Sequence, residues 1–347
     1  MKAAVFYNTG DLRVEDIAPP VCPPGGAIIK VEAVGICGGD VRTYYYGSHK
    51  IKPPMILGHE VAGTIVETGK YFKSYKIDDN IAMAPGIFCN ECYYCLHDMR
   101  TMCENLTEIG FHYPGAFAEY MSIPEEAFSR GRVVPIPEKL SFEYAALAEP
   151  PSSCLYSQER ADVCLGDNVV IIGAGPIGCI HMQIAKARGA DKVVVIENNS
   201  ERLNLTKVFD SYLYIDTNKE DPVRKVKDLT NGLGADKVIV AAPSATAQEL
   251  AIEICRKRGT VVLFGGLAKD DPFSRLNSNI IHYNDISILG HYGQERRHVT
   301  QSLELISKNI IDASKLITHI LPLNKIIEGF KLINDKKALK VILKPFI

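Results

Sequence analysis

Long apolar runs and a surplus of charge of either sign are missing from this 347-residue chain, and no secretory leader is expected. The longest apolar stretch, around residues 169–185, is broken by Gly173, Gly175, Pro176 and Gly178, which excludes a membrane-spanning helix. The amino terminus, Met1-Lys2-Ala3-Ala4-Val5-Phe6-Tyr7, turns polar at Asn8 and has no small-residue cleavage site, so a cytoplasmic protein is expected. Lys and Arg (39) nearly cancel Asp and Glu (41), leaving a formal charge of −2. No overall field is available to hold nucleic acid or an anionic membrane, and a small-molecule ligand is expected instead. Internal repeats, low-complexity tracts and extended charge blocks are absent too, which excludes solenoids and tails.

What is present suits an enzyme of two domains. A chain of this length with 46% hydrophobic residues can bury two cores. Residues 1–150 are rich in Gly, Pro and β-branched residues, with short runs such as Ala27–Val31 and Gly63–Glu67 between turn signals, and read as a β-rich domain. From 151 to 290 strand and helix patterns alternate, with apolar runs at Val169–Ile172, Val193–Glu197, Val238–Ala242 and Val261–Phe264. That alternation predicts an α/β fold with a doubly wound parallel sheet. Residues 291–347 give helices near 298–308 and 324–334 and strands near 317–321 and 339–344, a segment that can rejoin the first domain. The dipeptide Pro150-Pro151 marks the expected first hinge.

Of the ten cysteines, four fall at Cys89, Cys92, Cys95 and Cys103 in a polar lobe of about residues 85–105. The C-x2-C-x2-C-x7-C spacing suits a closed tetrahedral thiolate shell around one Zn²⁺, a structural site with no position open for chemistry. Disulfide pairing is the competing reading. The remaining residues Cys22, Cys154, Cys164, Cys179 and Cys255 read as ordinary buried thiols.

Gly173-Ala174-Gly175-Pro176-Ile177-Gly178 follows an apolar strand and opens a helix running to about Arg188, the context a G-x-G-x-x-G turn requires. The glycines let a pyrophosphate approach the backbone at a helix N-terminus. Glu197 ends the next strand, where a carboxylate accepts from ribose hydroxyls and repels a 2′-phosphate, so NAD is favoured over NADP. Arg202 can stack on adenine or serve that phosphate.

Gly58-His59-Glu60 lacks the second histidine of a protease H-E-x-x-H helix. With Cys37 of Gly35-Ile36-Cys37-Gly38-Gly39-Asp40 it supplies thiolate, imidazole and carboxylate donors with room for an open coordination position.

Taken in order, Gly35–Gly38, Gly58–Gly63 continuing to Gly69, the four-cysteine lobe, and Gly173–Gly178 followed by Glu197 and Arg202 make the whole chain resemble the zinc-containing medium-chain dehydrogenases. The resemblance is to the sorbitol, or polyol and threonine, branch. It implies a GroES-like β-rich catalytic domain made by both ends of the chain, with a Rossmann domain inserted. It also implies that Cys37, His59 and Glu60 hold a catalytic zinc, and that Glu149 is either a fourth ligand or a partner of zinc-bound water. Asp40 matches the acid that orients the imidazole. Thr43, His291 and Tyr292 fall near polyol-contacting positions, and Phe111-His112 near the pocket. The implied reaction is hydride transfer between a secondary alcohol and NAD, in a homotetramer or homodimer.

Two departures bear on the substrate. Gly39 stands where the family has a hydroxyl that passes the proton outward, and Arg42 stands where a histidine is common, which makes threonine a less expected substrate. A water chain through Glu149 or His49 is the expected substitute route. Arg42 reads either as a solvated surface residue or, with Arg296 or Arg297, as a reader of a substrate carboxylate or phosphate. Tyr44-Tyr45-Tyr46 reads as a partly buried aromatic patch or a sugar-stacking surface.

Overall fold

Ala27–Gly35 buries every residue except Lys30 and Glu32. Such a nearly continuous apolar strand needs partners on both edges, and it finds three. Glu60–Thr68 and Lys340–Lys344 flank it antiparallel, and Tyr120–Ile123 pairs with its first half. The computed structural model describes residues 1–347. Its contacts divide the chain into one unit of Met1–Ser152 with Gly293–Ile347 and another of Ser153–Tyr292.

The first unit is built on a seven-stranded sheet. Its path runs Arg132–Pro135, Asn80–Ala84, Glu60–Thr68, Ala27–Gly35, Lys340–Lys344 and Ile317–Pro322. Lys2–Asn8 pairs with Asp11–Asp16 and Met55–Ile56 in a smaller sheet, and the core around Ile29, Leu57, Phe117 and Phe330 is fully buried. The carboxyl-terminal strand therefore lies in the middle of a sheet begun near residue 27, with Ile342 opposite Gly35 and Gly35 opposite Glu60. This register brings Lys340 to the place where Glu60 starts its strand.

The second unit is a six-stranded parallel sheet ordered Leu213–Asp216, Lys192–Glu197, Asn168–Ile172, Ala235–Val240, Cys255–Leu263 and Ser287–Gly290. The Val- and Ile-rich strands Asn168–Ile172 and Lys192–Glu197 are buried almost throughout, as strands covered on both faces must be. The chain starts in the middle, winds to one edge, then returns to the other side of Asn168–Ile172. The strand order thus reverses there, and ligands of such sheets bind outside the carboxyl ends of strands at that point. No helix of the structure is long and apolar enough to cross a membrane.

Three expectations are corrected. Pro150-Pro151 does not form a loop: both lie in the first turn of the helix Glu149–Arg160, where a missing N–H leaves no bond unmade. Cys164 is exposed, held in a turn by its own N–H to Asp167 Oδ2 at 2.9 Å, and Cys22 is half-buried. The strands Leu213–Asp216 and Ser287–Gly290 are additional to the expected set.

Candidate metal and nucleotide sites

Cys37 caps the helix Gly38–Tyr46, its Sγ accepting from the Gly39 N–H at 3.3 Å while Asp40 Oδ2 accepts from the Cys37 N–H at 3.0 Å. This box fixes the thiol and the acid together on one turn. His59 and Glu60 come from the start of Glu60–Thr68 and the residue before it. The donor atoms of Cys37, His59 and Glu60 all lie within 4.8 Å of one another, and His59 and Glu60 are buried. A thiolate, an imidazole and a carboxylate so placed fit one zinc ion.

Asp40 Oδ1 sits 3.5 Å from Nδ1 of His59, an electrostatic contact longer than a good hydrogen bond. Burial pushes the imidazole toward neutrality, but the charges of Asp40 and Cys37 outweigh it and hold the His59 pKa well above its ordinary value. The Phe111 ring lies 5.2 Å from the His59 ring and covers it. His112 turns away, its Nδ1 accepting from the Glu108 N–H.

Two site residues are new relative to the sequence reading. Lys340 is buried and donates to both oxygens of Glu60, at 2.8 and 2.7 Å, and to the Ile36 carbonyl at 3.2 Å. Burial lowers the lysine pKa, but Glu60 and Cys37 more than offset it, so the ammonium stays charged. Gln294 is also buried, and its Nε2 donates to Glu149 Oε1 at 3.0 Å. Burial raises the Glu149 pKa, and the charge of His59 opposes that. A lysine among the apolar residues of the last strand was the available signal for Lys340; Gln294 had none.

The four-cysteine lobe forms as a cluster. Cys89, Cys92, Cys95 and Cys103 place their Sγ atoms within 4.8 Å of one another, with Cys89 and Cys95 3.9 Å apart and Cys89 and Cys103 3.5 Å apart. Tetrahedral Zn–S bonds of about 2.3 Å imply S···S separations of about 3.8 Å, whereas a disulfide requires about 2.05 Å. All four are free thiols, so the geometry fits zinc and excludes the disulfide reading. The N–H groups of Glu91 and Cys92 help lower the Cys89 pKa to about 6, whereas burial pushes Cys95 up to about 12. Metal binding displaces the remaining thiol protons.

In the second unit, Gly173 has φ 112°, in the left-handed region, and a Cβ on Gly178 would lie 1.9 Å from the Gly173 carbonyl oxygen. At Gly175, the N-cap of the helix Pro176–Ala187 with Pro176 at its first position, a Cβ would meet only Arg202 Nη1, at 3.6 Å. The turn is therefore tight inside and open outward, the cradle a pyrophosphate requires; Ile177 follows in its first helical turn. Glu197 ends its strand beside this turn and accepts the Ala174 N–H at 2.9 Å. Arg202 is half-buried; burial lowers its pKa and Glu197 opposes the shift.

The expected substrate residues are divided between the two units. Arg42 is exposed on the capped helix and makes no ion pair, while Thr43 is buried on that helix's inner face. His291 and Tyr292 belong to the second unit, where His291 Nε2 meets Ser153 Oγ at 3.0 Å and its ring stacks on Phe264 at 4.8 Å. Arg296 bonds the Phe128 carbonyl at 3.3 Å, and Arg297 is exposed. Tyr44 and Tyr45 pack together, Tyr44 against Phe330, whereas Tyr46 is 79% exposed.

Residues 23–138 match the alcohol dehydrogenase GroES-like domain and residues 176–308 the zinc-binding dehydrogenase domain. The chain is 30% identical to sorbitol dehydrogenase of Bacillus subtilis (strain 168), covering 92% of this chain and 89% of that one. It is 33% identical to L-threonine 3-dehydrogenase of the same organism, covering 92% and 90%. It is also 30% identical to D-arabitol-phosphate dehydrogenase of Enterococcus avium, covering 95% and 92%. A Sinorhizobium meliloti 1021 protein solved with NADP bound superposes with a TM-score of 0.90 at 26% identity, covering 99% of both chains. The chain belongs to the zinc-binding alcohol and polyol dehydrogenases, and is an enzyme of that family with GroES-like and Rossmann domains.

Proposed function

We propose that this dehydrogenase transfers hydride between a secondary alcohol of a polyol or sugar alcohol and NAD. In this reading residues 1–150 and 291–347 form the catalytic domain and residues 151–290 the NAD-binding domain. Cys37, His59 and Glu60 hold the catalytic zinc, Glu149 is a fourth ligand or a partner of its water, and Cys89, Cys92, Cys95 and Cys103 hold the structural one. The observation that carries the reading is the convergence of Cys37, His59 and Glu60 donors within 4.8 Å, braced by the buried Asp40 and Lys340.

Zinc bound there supplies a Lewis acid that favours loss of the alcohol proton, and NAD supplies the hydride acceptor. The chain's own residues do the rest. Asp40 orients His59, Lys340 fixes Glu60 and offsets its charge, and Phe111 keeps water from the imidazole. Gln294 holds one oxygen of Glu149 and leaves the other to take or pass a proton, a role Gly39, having no side chain, cannot perform. NAD is favoured over NADP because Glu197 stands at the ribose position, where a carboxylate repels a phosphate.

A second reading, a polyol phosphate, is supported by Arg42: its guanidinium is exposed and unpaired, five residues along from Cys37 on the helix that Cys37 caps. A homotetramer or homodimer completes the proposal, to be decided by light scattering. The test is NAD reduction at 340 nm across polyols, sugars, their phosphates, threonine and simple secondary alcohols, on protein of measured zinc content. Turnover of one stereochemical set of polyols is expected. Activity confined to phosphates and lost in Arg42→Ala selects the second reading; turnover of threonine alone overturns both.

A further inference from the structure

We propose that Asp216, at the end of Leu213–Asp216, is a positioning residue that locks Glu197 in the one orientation able to read the 2′-hydroxyl of the adenosine ribose. The inference rests on the reading that Glu197 meets that ribose.

Glu197 is already heavily engaged. Its Oε2 accepts the Ala174 N–H at 2.9 Å, and its Oε1 accepts the N–H groups of Asn198 and Asn199 at 2.9 and 3.0 Å. A carboxylate offers about four acceptor positions. With three filled by backbone, roughly one is left for a ligand, and its direction is set by where residues 197–199 lie. Glu197 recognises a single hydroxyl, then, only as well as that loop is held.

The loop is held from the neighbouring strand. Glu197 and Asp216 are partners in parallel register, so their side chains share a face of the sheet. Asp216 Oδ2 accepts from Ser200 Oγ at 2.5 Å, and its Oδ1 accepts both the N–H and the Nδ2 of Asn218 at 3.0 Å. Asn218 Nδ2 donates onward to the Asn198 carbonyl at 2.6 Å, and the Thr217 N–H donates to the Glu197 carbonyl at 3.1 Å. The carboxylate of Asp216 thus gathers both ends of the segment that points Glu197: Asn198 through Asn218, and Ser200 directly. Capping the helix Ser200–Thr206 does not need Asp216, because Asn199 does that through the Arg202 N–H at 2.8 Å. What Asp216 uniquely supplies is the brace.

The test measures binding of ADP and 2′-deoxy-ADP to the full chain by calorimetry, since the two differ only in the hydroxyl at issue. The wild-type chain should prefer ADP by about tenfold, the worth of one hydrogen bond to a charged group. Asp216→Ala should shrink that preference to less than about threefold while leaving 2′-deoxy-ADP affinity unchanged. Ser200→Ala, which removes one strut and keeps the acid, should do the same more weakly and guards against a fold that fails in the first variant. The proposal is overturned if both variants keep the full preference, or if both ligands weaken equally, which marks a purely structural residue. If the wild type shows no preference, or Glu197→Gln leaves it intact, Glu197 does not read the ribose and the reading beneath the proposal falls with it.

Discussion

The two zinc-fitting clusters of the first unit are made of different donors by opposite means. The lobe draws four thiols from residues 89–103, a span short enough that loop geometry alone brings them together. The other cluster takes Cys37 from a helix cap, His59 and Glu60 from a strand start, and its charge partner Lys340 from the far end of the chain. The lobe is a local object that sequence spacing specifies. The distributed cluster exists only if the sheet has the right register, so its chemistry and its fold are tested together.

The sharpest break of this comparison comes from removing one thiol of each. Cys95→Ser should lower zinc from two ions per chain to one and open residues 89–103 to protease, since a structural zinc contributes about 10 kcal/mol or more to the fold around it. Cys37→Ser should also leave one zinc, yet shift Tm by only a few degrees while lowering turnover about 10³-fold, the several kcal/mol a catalytic metal supplies. Metal analysis, limited proteolysis and kcat together decide; equal losses of stability would erase the distinction.

Lys340→Met probes the distributed side alone. In zinc-free protein it strands a buried carboxylate, and breaking such a pair costs about 3–5 kcal/mol, to be read from the urea midpoint. Adding Glu60→Gln should recover a large part of the loss, whereas an unchanged midpoint would mean that Glu60 has another counter-charge.

A smaller effect separates both clusters from the nucleotide unit. His181 is buried on the helix Pro176–Ala187, with Gln158 Nε2 3.1 Å from its Nδ1, and burial pushes its pKa down to about 3. The unfolded imidazole titrates near about 6.5. Between those values the unfolded chain binds a proton that the folded chain refuses, so stability is full above about 6.5 and falls with pH by up to roughly 1.4 kcal/mol per unit. Denaturation of zinc-saturated protein at pH 7 and 5.5 should show this slope, and His181→Leu should flatten it.

Legibility in the sequence followed the same division. The glycine turn, the apolar strands beside it and the four-cysteine spacing are short-range patterns, and each stands where the residues implied. Cys37, His59 and Glu60 can be grouped in the sequence by donor type, and the resemblance gives the set its role, but nothing local links residue 37 to residue 59. Lys340 and Gln294 escaped notice because a buried polar residue is explained by its partner, and theirs lie at positions 60 and 149. Leu213–Asp216 escaped because four residues flanked by Ser211, Tyr212 and Thr217 are too few to show a period. Pro150-Pro151 misled because a proline pair punctuates loops and helix starts alike.

The Glu60–Lys340 pair also sets a clock. The two residues are 280 positions apart, and at about 5–20 residues per second a ribosome needs roughly 15–55 s to make the stretch between them. Throughout that interval the nascent chain carries Cys37, His59 and Glu60 without the strand that brings Lys340 to Glu60, whereas the lobe is complete as soon as Cys103 emerges. Metal loading in the cell is therefore expected in two instalments, the four-cysteine ion during synthesis and the second after the last strand has docked.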